Sequence, residues 1–434
     1  MEFSAVRTTG IYCRPGCGAR PRADNVQTFE MAAAAEAAGF RACLRCRPYR
    51  VAGAVPWAAP EFVCRAVQLI IGGALDEGTE ADLGARVGMS ARHLRRLFRQ
   101  HLGVTPDQFA RSRRAHFARR LLDDTDLSVA DVAFASGFSS LRQFNRTMTE
   151  VFRSTPTELR ARRRRDDRIL TDGGLGLRLP FRAPYDWPKV AALLADRAVP
   201  GVESVIDGVY RRTILLDGAP GVLEISAGAQ DHLTLRMHLP YWEGLIHIVE
   251  RAARIVGVHD DTAEGVQRLA GDAVMGPLVA SSPGLRVPGA WSGFEAAVAA
   301  VAGSDTGAIV AEFGEPVPGL THGLTHLFPS PQTLAASGPA SIRSLAEAVA
   351  ARETIVDSAT EPADLIPVAS DAAHDIALRL GYRDAFPATD SRLRHTADAM
   401  KISLAEASPA WRPWRALAAT HLISHALCTA EEAA

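Results

Sequence analysis

Helical periodicity dominates the chain, interrupted by one block of strict alternation. Between residues 61 and 160, apolar positions recur at three- and four-residue spacing. EFVCRAVQLIIGGAL predicts one helix, and TEADLGARVGMSARHLRRLFRQHLG predicts two around a tight turn at Gly88–Ser90. QFARSRRAHFARRLLDDTD predicts a long basic helix. LSVADVAFASGFSSLRQFNRTMTEVF then repeats the helix–turn–helix pattern with its turn at Gly137–Ser139. Two like units joined by one long helix form an internal repeat. From 175 to 240 the period changes to two: LGLRLPFR, GVYRRTILLDG, GVLEISAG and HLTLRMHLP predict strands, with Gly or Asp turns at two joints. The amphipathic WPKVAALLADRA lies between the first two strands. Helical spacing resumes in GLIHIVERAARIVG, GFEAAVAAVAG, PASIRSLAEAVAARE, DAAHDIALRLGY and RPWRALAATHLISHAL.

The breaks in this pattern predict domains. AGAVPWAAPE (52–61) is a Pro/Ala linker, and the charge run RARRRRDDR (160–168) leads into the flexible TDGGLG. A chain of 434 residues accommodates two to four domains. No apolar run stands out as long enough to cross a bilayer. MEFSAVRTTG lacks the basic-then-apolar order of a signal peptide, so a cytoplasmic protein without membrane partners is expected.

Charge changes the picture. The net charge of −1 conceals a basic N-terminal part: residues 1–165 hold 27 arginines, no lysine and 16 acidic residues, leaving the remainder acidic. Arginine matches phosphate and guanine edges in a bidentate way, so the basic part is the electrostatic footprint of nucleic-acid binding. A GC-rich genome explains the choice of arginine over lysine, but not the sign difference.

Four of the six cysteines cluster as Cys13-x3-Cys17 and Cys43-x2-Cys46. Two short-spaced pairs across a helix-length gap suit one tetrahedral Zn2+. The alternatives are unrelated buried thiols or a purely structural zinc knot. AVRTTGIYCRP with AGFRACLRCRP resembles the N-terminal module of Ada-type alkylation-response proteins. The resemblance implies that Cys13 is both a zinc ligand and the acceptor of a methyl group from a DNA methylphosphotriester. The chemistry is coherent, because thiolate is the nucleophile. Methylation would move a zinc–tetrathiolate site from a formal −2 to −1 and so raise DNA affinity. On this reading the sulfur sits among arginines because its substrate is the DNA backbone. The chain starts almost at the motif, where relatives carry a further stretch. Either the true start lies upstream or the module has lost those elements.

FASGFSSLRQFNRTMTEVFRSTPTELR resembles the AraC-type DNA-binding domain. The resemblance implies that each second helix lies in the major groove of a promoter. The candidate groove residues are Ser90, Arg92, His93, Arg95 and Arg96, then Ser139, Ser140, Arg142, Gln143 and Arg146. Ser90 and Ser139 are also candidate helix caps. Arg160 to Arg165 form either a phosphate grip or a solvated tail. RNA polymerase is a candidate partner.

LRLPFRAPYDWPKVAALLADRAVPGVESVIDGVYRRTILLDGAPGVLEIS resembles the N-terminal domain of AlkA-type 3-methyladenine glycosylases. VMGPLVASSPGLRVPGAWSGFEAAVAAV and DAFPATDSRLR continue the resemblance into their helical catalytic domain. It implies a catalytic role for Asp390, whose carboxylate would stabilise positive charge on the sugar of a flipped nucleotide. The family's hairpin LPGIGPWTA corresponds to IPVASDAAH (366–374), with Val368 and Ser370 in place of glycines. A Cβ at those positions obstructs the approach of backbone N–H groups to phosphate. Ala372, Ile376 and Ile423 stand where the family has stacking aromatics, and the helix around 300–314 is shortened. Base excision is therefore expected to be weakened. His322 and His326 lack a third ligand nearby, while Cys64, Cys428, Trp411 and Trp414 read as packing residues.

The expected fold is multidomain α+β. It comprises a small zinc module with four cysteine ligands (1–50), an all-α double helix–turn–helix domain (61–165), an α/β AlkA N-terminal-like domain (174–285) and a shortened all-α helix-hairpin-helix glycosylase-like domain (286–430). The expected function is an alkylation-damage response regulator with stoichiometric methyl transfer to cysteine. The rivals are an active bifunctional enzyme that also excises alkylated bases, and a transcription factor using zinc only structurally.

Overall fold

A computed structural model describes residues 2–19, 21–50, 59–164, 167–169, 171, 173–260, 262–351 and 372–433. The chain divides into two compact units, Met1–Phe181 with Tyr241–Glu250 and Arg182–Pro240 with Arg251–Ala434.

The first unit opens with a four-stranded sheet that periodicity did not reveal, because its strands are two to four residues long. Strands β1 (Phe3–Val6), β2 (Ile11–Cys13), β3 (Val26–Phe29) and β4 (Arg41–Ala42) lie in the order β3-β1-β2-β4, with β2 and β4 parallel. The short helix α1 (Ala32–Ala37) precedes β4, and Ala5, Tyr12, Ala33, Ala35 and Ala42 fill a small core.

Six helices follow as the periodicity predicts, α2 (Glu61–Ile71), α3 (Glu80–Arg86), α4 (Ala91–Leu102), α5 (Pro106–Asp124), α6 (Val129–Ala135) and α7 (Leu141–Phe152), and α8 (Pro156–Ala161) is an addition to the sequence reading. Their starts are encoded locally. Thr79, Thr105, Ser128 and Thr155 each form a capping box with Asp82, Gln108, Asp131 and Glu158. Each such cap contributes about 1 kcal/mol. The repeat extends to the helix ends: Gly103 and Arg153 both adopt left-handed φ after α4 and α7, and Thr105-Pro106 and Thr155-Pro156 start the next helices. Helix α5 is buried on nearly all sides, and its buried charges are paired: Arg119 reaches Asp123 at 2.6 Å, and Arg114 reaches Asp76 at 2.5 Å. Strand β5 (Leu175–Pro180) packs near the end of α5, where Arg178 pairs with Asp124 at 2.6 Å.

In the second unit, α9 (Trp187–Asp196) precedes an antiparallel meander. Its strands are β6 (Glu203–Ile206), β7 (Val209–Leu216), β8 (Ala219–Ala227) and β9 (His232–His238). Strand β6 is an addition to the sequence reading. The hairpins turn on Asp207-Gly208 and Asp217-Gly218, all four residues at positive φ, the geometry that favours Asp-Gly in two-residue loops.

Helices complete the chain: α10 (Leu245–Ile255), α11 (Ala263–Ala270), α12 (Met275–Ser281), α13 (Gly293–Ala302), α14 (Thr306–Phe313), α15 (Pro331–Ser337), α16 (Ala340–Ala350), α17 (Ala373–Arg379), α18 (Ser391–Met400), α19 (Leu404–Ala407) and α20 (Arg415–Ala433). Contrary to the sequence expectation, Gly293–Phe313 is long and apolar enough by composition to cross a membrane. The segment is broken at Gly303, and its Phe294, Ala297, Val298 and Ile309 belong to a core shared with Leu334, Ile342 and Ile376.

Candidate metal centre and nucleic-acid interface

Strand pairing builds the cysteine site. Cys13 ends β2 and Cys43 follows β4, so the parallel pair sets them side by side, with Cys43 N–H donating to Tyr12 O at 2.9 Å. Cys17 returns through a turn containing Gly16 at φ 75°. The four Sγ atoms lie within 4.8 Å of one another, and among the described residues this is the only cluster of three or more potential metal ligands. With Zn–S bonds near 2.3 Å, tetrahedral sulfurs are about 3.8 Å apart, so the quartet closes on Zn2+ with little movement.

The donor chemistry also fits. Burial, then repulsion from Cys46 and Cys43, pushes the Cys13 thiol well above its ordinary range, and burial is the main reason Cys46 is pushed up to about 12. Burial also opposes the Cys43 thiolate, but hydrogen bonds from the backbone amides of Cys46 and Arg45 and from the thiols of Cys46 and Cys13 together lower its pKa. Four sulfurs so placed ionise together only around a cation. Cys13 is the most enclosed of the four, at 7% exposure.

Two polar links join this module to α5. Tyr12 Oη donates to Glu36 Oε1 at 2.6 Å, and the same carboxylate oxygen lies 2.6 Å from His116 Nε2 on α5. Behind Cys46, Arg47 reaches Asp167 at 2.6 Å, Tyr49 Oη donates to Asp123 at 2.9 Å, and Arg50 touches Asp123 and Asp124 at 3.4 Å. This removes two arginines from those expected to face DNA beside the sulfurs. Arg45 is exposed, but Arg47 and Arg50 are spent on a carboxylate cluster inside the fold. The basic run is similarly committed in part, since Arg160 donates to Leu127 O at 2.7 Å and Arg163 to Thr125 O at 2.8 Å. Arg165 lies outside the described residues.

Helices α4 and α7 carry the groove candidates. Ser90, Arg92, His93, Arg95 and Arg96 are exposed on α4 or its cap, and Ser139, Ser140, Arg142 and Arg146 on or before α7, with Gln143 half-buried. Ser90 caps α4 by accepting from His93 N–H. The cap of α7 is Ser140, accepting from Gln143 N–H, and not Ser139, whose hydroxyl instead donates to the Gln143 side chain. The reason is register: the helix starts one residue later than the turn suggests. Arg95 pairs with Glu80, and Arg146 lies 3.6 Å from Glu150, so acidic neighbours hold both. Leu141 and Asn145, in the first half of α7, are also exposed and are not among the sequence candidates. Superposing the repeats pairs Asn145 with the candidate Arg95, a comparison that would have found it, whereas Leu141 pairs with the half-buried Ala91.

In the second unit, Asp390 is the N-cap of α18, accepting from Arg392 and Leu393 N–H groups. Arg392 also grips both carboxylate oxygens, Nη2 to Oδ2 at 2.7 Å and Nε to Oδ1 at 3.2 Å, while its Nη1 reaches Asp196. Burial raises the Asp390 pKa, against the lowering effect of the two amides. The carboxyl opens on a cleft lined by Arg197, Asp375, Arg379 and Ile423. Ile376 and Ala372 pack in the adjoining core instead. Val368 and Ser370, and with them most of the hairpin, lie outside the described residues. Cys64, Trp411 and Trp414 are buried as expected, whereas Cys428 is only half-buried.

Comparison with known proteins finds three family matches along the chain. Residues 2–49 match the metal binding domain of Ada, residues 83–162 a helix-turn-helix domain, and residues 176–292 the AlkA N-terminal domain. The probable bifunctional transcriptional activator/DNA repair enzyme AlkA of Mycobacterium tuberculosis is 37% identical, covering 96% of this chain and 91% of its own. The bifunctional transcriptional activator/DNA repair enzyme Ada of Escherichia coli is 36% identical over 36% of this chain and 43% of its own. DNA-3-methyladenine glycosylase 2 of the same organism is 26% identical over 56% of this chain and 95% of its own. With an Ada-type zinc module, a helix-turn-helix DNA-binding domain and a glycosylase-like region in one polypeptide, the chain belongs to the AlkA family of bifunctional transcriptional activator/DNA repair proteins.

Proposed function

We propose that this protein senses DNA alkylation by taking one methyl group on Cys13 and that its paired helix–turn–helix units carry the signal to a promoter. The observation that carries this reading is the closed thiol quartet joined to α5 through Tyr12, Glu36 and His116. Zn2+, when bound, keeps the sulfurs ionised at neutral pH. Cys13 Sγ then forms a bond to the methyl carbon of a methylphosphotriester. The carbon–oxygen bond breaks, its electron pair stays on oxygen, and a phosphate diester leaves. No proton moves, and Cys13 becomes a thioether. Its enclosure leaves the sulfur poorly hydrated and restricts attack to a small group presented at the backbone. RNA polymerase is the partner through which such a regulator acts.

Peptide mapping by mass spectrometry, after incubation with duplex DNA carrying one methylphosphotriester, tests the assignment. The methyl is expected on Cys13 alone and absent from Cys13→Ser. Methyl on Cys17, Cys43 or Cys46, or on none, overturns it.

The exposed Leu141 suggests that α7 reads a thymine methyl while Gln143 and Arg142 supply polar contacts. Replacing the relevant thymine of a selected site by uracil is expected to weaken wild-type binding by roughly 1 kcal/mol, the scale of one buried methyl. The same replacement leaves Leu141→Ala unaffected, as fluorescence anisotropy would show.

A second reading, excision of alkylated bases, is favoured by one observation: Asp390 stands on a cleft, where a carboxylate can face the sugar of a flipped nucleotide.

A further inference from the structure

We infer that Arg392 is an internal counter-cation that closes the Asp390 cleft to positively charged sugars and bases. The inference rests on the reading of Asp390 as a sugar-facing carboxylate and concerns how that site is controlled.

The charges around the cleft are individually accounted for. Asp375 is matched by Arg379 at 2.9 Å on the same helix. Arg197 is spent on the carbonyls of Pro288, at 2.9 Å, and Gly289. Two carboxylates remain, Asp390 and Asp196, and one guanidinium serves both. Arg392 therefore sits where a cationic sugar would need to place its charge. It also stands in the cleft itself, among the residues that line it. Each Asp390 oxygen already accepts from the Arg392 side chain, and Oδ1 accepts from two backbone amides as well. A neutral sugar needs only that the long, one-third-exposed Arg392 side chain swing aside. A cationic one gains from the carboxylate only what it recovers after the Arg392–Asp390 pair is broken, so Arg392 cancels the advantage that a bare carboxylate would give it. The closure is built into the helix start, because residue 392 lies two positions after the cap and its side chain folds back over it.

The test uses the full chain and three duplexes: undamaged, one with a neutral tetrahydrofuran abasic site, and one with a cationic pyrrolidine in its place. Wild type is expected to bind the two abasic duplexes alike. Arg392→Gln is expected to prefer the cationic one by tenfold or more. Adding Asp390→Asn should abolish that preference. Arg392→Lys, which keeps the charge, should behave as wild type, separating charge from lost packing. A tenfold cationic preference already present in wild type, or an unchanged ratio in Arg392→Gln, overturns the inference while the sugar-site reading stands. If no protein prefers either abasic duplex to undamaged DNA, the sugar-site reading itself fails, and the inference falls with it.

Discussion

Removing zinc is expected to unfold residues 2–50 while the helices from α2 to α8 stay folded. The argument is one of size and sulfur. The module's strands are two to four residues long, its single α-helix has six, and its core is mostly alanine around Tyr12. An apolar core this small does not offset the entropy of ordering the chain, so the cross-link must. Zinc binding in modules of this kind is folding free energy, on the order of 10 kcal/mol. Without the ion the enclosed Cys13 and Cys46 revert to neutral thiols, since burial raises the pKa of both. Hydrogen exchange with and without a strong chelator checks this. Protection should vanish from β1 to β4 and persist in α5. Acid should act in the same direction, because protons compete for the thiolates. Protection that survives chelation would mean the module folds on packing alone.

Asp123→Asn is expected to destabilise the first unit by about 3–5 kcal/mol, the scale for breaking a buried charge pair from one side. Asp123 is fully buried, 2.6 Å from Arg119, 2.9 Å from Tyr49 Oη, 3.4 Å from Arg50 and 3.7 Å from Arg47. Arg119 and Arg47 are themselves buried, so the substitution strands positive charge away from water. Asp126 is the control. It pairs with Arg163 and Arg168 on the surface, where such pairs contribute about 0–1 kcal/mol. Chemical denaturation of the two variants should differ accordingly. Equal, small effects would show that the cluster is not what fastens the module to α5.

Periodicity made the helices legible, and the repeat followed from the two helix–turn–helix patterns. The capping boxes at Thr79, Thr105, Ser128 and Thr155 are local sequence as well, but periodicity does not display them. The cysteine quartet was legible because ligand spacing is a chemical constraint. The β1–β4 sheet was not, since two to four residues cannot display a period. Nor were the contacts made by chain reversal: Asp123, Asp167 and Arg47 are separated by 44 to 120 residues, and no local pattern announces that they meet. Arg392 shows the same limit at short range. A cap and an arginine two residues on were visible as letters, but only the backbone path shows one closing over the other.

The two DNA-reading units are unequal copies on one rod. Helix α5 is 19 residues long, about 28 Å, and fixes one unit ahead of the other in the chain. A twofold dimer meets a palindrome and reads the same in either direction. The two units within this chain are not so related: α4 has Ala91, His93 and Arg95 where α7 has Leu141, Gln143 and Asn145. If both helices read DNA as proposed, the stretch that one chain covers has polarity, and a bound chain points one way along it.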